Sequence, residues 1–334
     1  MLSECTRQKK IARLRQATHQ LRVMLQACRC CGRECGVNRW EGQLGVCRTP
    51  LSLVSPQVRY ASATLHFGEE PMLVGTGGSG TVFFTHCNLR CVFCQNYQIS
   101  WEGLGRDATV DELARDFCEL QRKGAGNINL VTATHCMYPV LLALQKAYET
   151  EVQLPLVFNT NGYEMVEFLR CLEGIVDIYL PDLKYMDRKA AARYSAAPNY
   201  PQIACEAIRE MYRQVGPYDV ETSSSQRGVI LRHLVLPDNV AGTYDLLLWL
   251  KDEGLTDIPL SLMSQYTPQH RAADYPEIAR SLSWREYEDV VQYALDLGFE
   301  HLLVQECESQ NVFLPDFTRQ EPFVQREETT GSSV

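Results

Sequence analysis

The stretch T-V-F-F-T-H-C-N-L-R-C-V-F-C, residues 81–94, decides the fold. TVFFT (81–85) is a short, largely apolar run of the kind that forms a strand buried on both faces. Directly after it come Cys87, Cys91 and Cys94, spaced C-x3-C-x2-C. Outward from this point similar runs recur: INLVTA (128–133), PLVFNTN (155–161), VDIYLPD (176–182), VILRHLVLP (229–237), IPLSLMSQY (258–266) and HLLVQEC (301–307). Amphipathic helices fit between most of them. Thr109 with Glu112 and Ser283 with Glu286 read as capping boxes, with Gly124 and Gly298 as stops, and Pro139 suits a helix first turn. Alternating strands and helices imply a parallel sheet, either doubly wound or curled into a barrel. Six such units and one more strand predict an α/β fold, a partial (β/α)6 barrel, with chemistry at the C-terminal ends of its strands.

Composition narrows the class. The chain has 334 residues, 45% hydrophobic and 22% charged, which excludes disorder or a collagen-like repeat as the main theme. Its longest apolar runs, such as LLLWL at 246–250, are far shorter than the roughly 20 residues of a membrane helix, so no membrane partner is expected. A net charge of −9 argues against a general nucleic-acid coat. Residues 1–26 carry a local excess of +5 and read as a solvated basic helix. They lack the apolar core and cleavage site of a secretory leader, so a cytoplasmic location is expected.

Fourteen cysteines are many for an ordinary cytosolic enzyme, and metal or iron–sulfur ligation explains them better than disulfides. Three close thiolates on one loop can hold three irons of a four-iron cube and leave the fourth open to a small chelating ligand. Zinc fits less well there, because only His86 offers a fourth ligand nearby. A second set, Cys28, Cys31, Cys35 and Cys47, runs C-x2-C-x3-C-x11-C among Gly32, Gly36, Gly42 and Gly45, with Cys30 spare. Four sulfurs suit a closed zinc site or an auxiliary iron site, with a structural or redox role. Cys5, Cys118, Cys136, Cys171, Cys205 and Cys307 read as packing residues, with Cys136 the one to test for a role beside the cofactor. Gly75-Thr-Gly77-Gly-Ser-Gly80 spells G-x-G-x-x-G, but it precedes a strand where a dinucleotide fingerprint would follow one.

With Phe93 before its last cysteine, the C-x3-C-x2-C motif resembles that of the radical S-adenosylmethionine (SAM) enzymes. LHFGEEP (65–71), NINLVTATH (127–135), DIYLPDLKYMD (177–187), SLMSQYTP (261–268) and ESQNVFLPDF (308–317) are similar to their pyruvate formate-lyase activating-enzyme-like branch. The resemblance implies a 4Fe–4S cluster on Cys87, Cys91 and Cys94, with SAM on the open iron. One electron from a donor such as flavodoxin or ferredoxin would release a 5′-deoxyadenosyl radical, which abstracts hydrogen from a protein or small-molecule substrate. It places Phe93, Thr132, Thr134, His135, Asn161, Asp182, Lys184 and Arg232 at the cofactor. Thr132-Ala133-Thr134-His135 stands where activating enzymes carry Gly-Gly-Glu for the methionine amino group. Asn159-Thr160-Asn161-Gly162 matches an Asp-Thr-Asn-Gly element, and Asp182-Leu183-Lys184 an Asp-Leu-Lys element whose lysine meets the methionine carboxylate. Arg232 is favoured over His233 to face the site. Tyr266, Gln305, Glu306, His66, Glu69 and Glu70 are candidates for the substrate cavity or for structural polar positions.

Three zones are expected: a basic helix, knuckle and linker over 1–74, the barrel over 75–310, and an extension over 311–334 disordered at its end. The functions weighed are activation of a glycyl-radical enzyme, radical modification of another peptide, protein or small molecule, and a non-catalytic iron–sulfur scaffold or electron carrier.

Overall fold

The computed structural model describes residues 2–222, 226–305, 314–319 and 321–323. Glu306, Cys307 and the polar end of the extension lie outside the described residues. The chain forms an α/β fold whose strands divide between two hydrogen-bonded sheets. A basic helix α1 (Glu4–Met24) comes first, then β1 (Gln57–His66) and β2 (Ser79–Phe84). After β3 (Arg106–Thr109) and α2 (Val110–Arg122), β4 (Ile128–Val131), α3 (Met137–Thr150), β5 (Leu156–Thr160), α4 (Val166–Cys171) and β6 (Ile178–Pro181) alternate. Two helices, α5 (Arg188–Ser195) and α6 (Tyr200–Val215), then precede β7 (Gly228–Val229) and β8 (Leu231–Leu234). The chain continues through α7 (Thr243–Asp252), β9 (Leu260–Met263), α8 (Trp284–Asp296) and β10 (Leu302–Val304).

Strands β2, β4, β5, β6 and β7 pair in parallel, as do β8, β9 and β10. An Asp182↔Arg232 bridge, with Leu183 N–H donating to Arg232 O at 2.9 Å, joins the two sheets and curls them into a partial barrel. Residues alternate across each strand. Val82, Phe84, Leu130, Phe158 and Leu262 pack in the main core, and Val157, Ile178, Leu180 and Ile230 form a second cluster on the opposite face. Both capping boxes form, at Thr109/Glu112 and Ser283/Glu286.

Two sequence expectations change. The segment 48–80, read as a linker with one or two short strands, supplies the longer, ten-residue β1, antiparallel to β2 and β3, with a bulge between Tyr60 and Ser62. Its half-polar composition belongs to a strand covered on one side only. Helix α1 is docked, not freely solvated: Ile11, Leu14, Ala17 and Leu21 form a buried stripe, and α1 packs on α3. Buried Lys10 pairs with Asp177. The G-x-G-x-x-G segment serves close backbone packing, since a Cβ on Gly77 would lie 1.9 Å from Gly124 O. Among the described residues no helix is long and apolar enough to cross a membrane.

Candidate active site at the barrel mouth

The loop leaving β2 carries the three cysteines. His86 (φ 73°) and Arg90 (φ 56°) both take left-handed backbone there, uncommon for side-chain-bearing residues. The turn is held from outside by Trp101 Nε1, which donates to Cys91 O at 2.9 Å, and by the Arg90 guanidinium, 4.2 Å from the Trp101 ring centre. Each cysteine sulfur receives a donor. Leu89 N–H and Asn161 Nδ2 reach Cys87 Sγ at 3.3 and 3.4 Å. Ser195 Oγ lies 3.1 Å from Cys91 Sγ, and Ser100 Oγ 3.2 Å from Cys94 Sγ. Burial pushes the Cys94 thiol up to about 12 and raises Cys87 as well.

These cysteines form one end of a cavity of about 170 Å³. Its other walls come from the C-terminal ends of the strands: Thr132 after β4, Asn159 and Asn161 at the end of β5, Asp182 and Lys184 after β6, and Arg232 in β8. Phe93 lines it too, its ring edge-on to Tyr266 with centres 5.8 Å apart. Thr132 has φ 56°, a genuine outlier for a β-branched residue, at the cavity wall.

Four charges organise the far wall. Arg232 Nε donates to Asp182 Oδ1 at 3.0 Å, Nη2 to Asn159 Oδ1 at 2.5 Å and Nη1 to Glu69 Oε2 at 3.4 Å. Lys184 Nζ donates to Asp182 Oδ2 at 2.8 Å. Burial opposes the charge on Asp182, but Arg232 and Lys184 outweigh it and hold the carboxyl below its ordinary value. Burial likewise opposes the charge on Lys184, and Asp182 and Cys91 raise it above the usual lysine value. The wall is therefore charged at neutral pH.

Thr134 and His135, expected at the cofactor, do not line this cavity. The left-handed turn at Thr132 leads into a 3-10 turn, Thr134–Cys136, which carries both to a separate cavity under the N-terminal cysteines. There Thr134 Oγ1 donates to Glu164 Oε1 at 2.7 Å, and burial pushes the Glu164 carboxyl up to about 7. Cys136 is buried, with its Sγ 3.5 Å from Ala133 O. His233 is held at both nitrogens, by Leu183 O at 2.6 Å and Thr243 Oγ1 at 2.8 Å. Tyr266 lines the barrel cavity and bonds Ile278 O at 2.6 Å. Gln305 accepts from Ser264 N–H at 3.2 Å. Glu69 joins the Arg232 network, His66 packs on Phe83 and Phe323, and Glu70 is buried.

Sequence reading missed Arg33, although it ties the cysteine-rich segment to the cluster loop. Its guanidinium donates to the carbonyls of Asn88 and Leu89, both at 2.9 Å, of Ser195 at 2.7 Å, and of Ala196. Only its place inside a C-x2-C-x3-C run hinted at a role. We expect Arg33→Ala to lower unfolding free energy by about 2 kcal/mol and to speed iron loss from the cluster loop. Denaturant titration and iron counts after gel filtration check this; unchanged iron retention would remove Arg33 from the clamp.

Among the described residues no three His, Cys, Asp or Glu side chains converge as they would around one ion. In a cube each of Cys87, Cys91 and Cys94 would bind a different iron. The donors already aimed at their sulfurs suit an anionic cluster.

The model of the Radical SAM superfamily matches residues 81–222, which span the cysteine loop and the strand ends through β6. The chain belongs to the Radical SAM superfamily. It is 31% identical over 287 residues to an uncharacterized protein of Methanocaldococcus jannaschii, covering 82% of this chain and 77% of that protein. Among solved structures it is similar to the crystal structure of HydG, a maturase of the FeFe-hydrogenase, with a TM-score of 0.42 and 15% identity. That likeness covers 66% of this chain and 50% of that one, so this chain spans about half the length of that structure's chain. Superfamily membership implies a 4Fe–4S cluster and SAM as cofactors and supports an enzyme; members typically work with a substrate and a one-electron donor.

Proposed function

We propose that Cys87, Cys91 and Cys94 hold the cluster, that SAM occupies the adjoining cavity, and that the enzyme abstracts hydrogen from a substrate at the barrel mouth. The observation that carries this reading is the single cavity with three hydrogen-bonded sulfurs at one end and the Asp182–Lys184–Arg232 network at the other. A reduced cluster held by these cysteines would supply the one electron needed for reductive cleavage of SAM. The chain's own residues bind and orient. Lys184 offers a cation to the methionine carboxylate, while Asp182 and Thr132 offer acceptors to its amino group. Arg232 keeps Asp182 ionised and in place. Phe93 and its aromatic neighbours keep water from the sulfur end.

The finer reading is activation of a glycyl-radical enzyme. Leu234, Met263, Gln265 and Thr267 line part of the cavity with apolar, amide and hydroxyl groups and no charge, which suits a peptide backbone better than a charged metabolite. A flavodoxin or ferredoxin would serve as electron donor, in the cytoplasm. We expect Lys184→Met to raise the KM for SAM about 10- to 100-fold, with a smaller effect on kcat. For substrate class, the reduced protein and SAM are mixed with a candidate glycyl-radical partner and followed by electron paramagnetic resonance. A glycyl doublet supports activation. 5′-Deoxyadenosine without a doublet moves the substrate to another peptide, protein or small molecule. No 5′-deoxyadenosine with any substrate would leave only an iron–sulfur scaffold or carrier.

A further inference from the structure

A second cavity lies beneath the N-terminal segment, walled by Cys28, Cys30, Cys31, Cys35 and Cys47 together with Arg39, Asn88 and His135. Its free space is about 20 Å³, room for one ion or water and far less than the 170 Å³ at the barrel mouth.

Three buried nitrogens have no hydrogen-bond partner here: Arg39 Nε, Asn88 Nδ2 and His135 Nδ1. Their meanings differ. His135 Nε2 lies 2.8 Å from Thr85 O. A carbonyl only accepts, so Nε2 carries the proton and the neutral ring presents a bare lone pair at Nδ1. An imidazole with one nitrogen donating to a backbone carbonyl and the other free is the arrangement of a metal-bound histidine. Arg39 supplies an independent argument. Its side chain is 1% exposed, and it has no carboxylate partner among the described residues. Its contacts are Thr49 O at 2.6 Å and Cys47 Sγ at 3.4 Å. A buried cation needs a nearby anion. Thiolates would provide it, and a bound metal ion keeps its thiol ligands deprotonated. Val46 N–H donating to Cys35 Sγ at 3.5 Å, and the free Asn88 amide, are the N–H groups such thiolates attract.

We propose that this cavity binds one thiophilic divalent ion of the zinc class, with sulfur ligands from the knuckle and His135 Nδ1 as a nitrogen ligand from the barrel. Among the described residues no three such side chains already converge on one point, so binding requires the knuckle sulfurs to move in on His135. Binding releases the thiol protons to solvent and involves no electron transfer. The site would staple residues 28–47 to the turn after β4, and Asn88 stands beside Cys87 of the cluster loop.

The test is independent of the barrel chemistry. In a full-length chain carrying Cys87→Ala, Cys91→Ala and Cys94→Ala, any tightly held metal belongs to the knuckle. We expect about one zinc per chain. X-ray absorption at the zinc edge should read sulfur with one nitrogen, without any change at His135. Cobalt should replace zinc and give tetrahedral ligand-field bands with thiolate charge transfer. His135→Gln should weaken zinc about 100-fold, and His135→Cys should restore it with an all-sulfur spectrum. An all-sulfur zinc shell in the parent, cobalt bands unmoved by His135→Gln, a four-iron cluster, or a metal-free chain with paired cysteines would each overturn the proposal.

Discussion

Cys91→Ala is expected to abolish 5′-deoxyadenosine formation in the reduced, reconstituted protein while leaving the chain folded. Cys91 is the middle ligand of the proposed trio. Its sulfur is buried, held by Ser195 Oγ at 3.1 Å, and lies on the cavity that would take SAM. Without it two thiolates remain, and a cube held at two corners is readily lost. The fold should tolerate the change: the loop backbone is fixed by Trp101 at the Cys91 carbonyl and by Val92 N–H donating to Tyr194 O at 2.8 Å, neither involving the thiol. Iron content, circular dichroism and product analysis read the result together. A folded, iron-poor, inactive variant supports the assignment; wild-type cleavage would end it.

The second large effect falls on stability. Arg232→Met should cost about 3–5 kcal/mol, because it leaves Asp182 with one cation and Glu69 with none. Burial already raises the Glu69 carboxyl despite Arg232 beside it, and without the arginine it should rise further. The sign follows. A carboxyl whose folded value is raised destabilises the fold increasingly as pH climbs from the unfolded value, about 4.3, through the folded one. The Arg232→Met deficit should therefore be largest above neutrality and shrink toward pH 5. Adding Glu69→Gln should recover part of the loss and flatten the pH dependence. Denaturant unfolding across pH checks both. A deficit independent of pH and of Glu69 would mean that Arg232 acts through packing alone.

The barrel was legible because its strands are continuous apolar runs and two of its helices start on capping boxes, both local signals. The cysteine trio was legible for the same reason, since three ligands sit on one short loop. Other parts depended on information that local patterns do not carry. A short strand was expected among the prolines and glycines of 48–80, but not the full length of the half-polar β1, which depends on pairing with β2. The basic count of α1 masked its buried stripe. Thr134 and His135 come two and three residues after the cavity residue Thr132, yet the left-handed turn there swings them to the knuckle. Ser195 and Arg33 meet the cluster loop only through long-range packing, which no spacing announces.

The most direct measurement is electron–nuclear double resonance on the reduced, anaerobically reconstituted protein with SAM labelled at its amino nitrogen and carboxylate oxygen. The account predicts couplings from both labels to one iron, present in the native chain and lost together in Cys91→Ala. A fully loaded cluster that shows neither coupling at saturating SAM would contradict it.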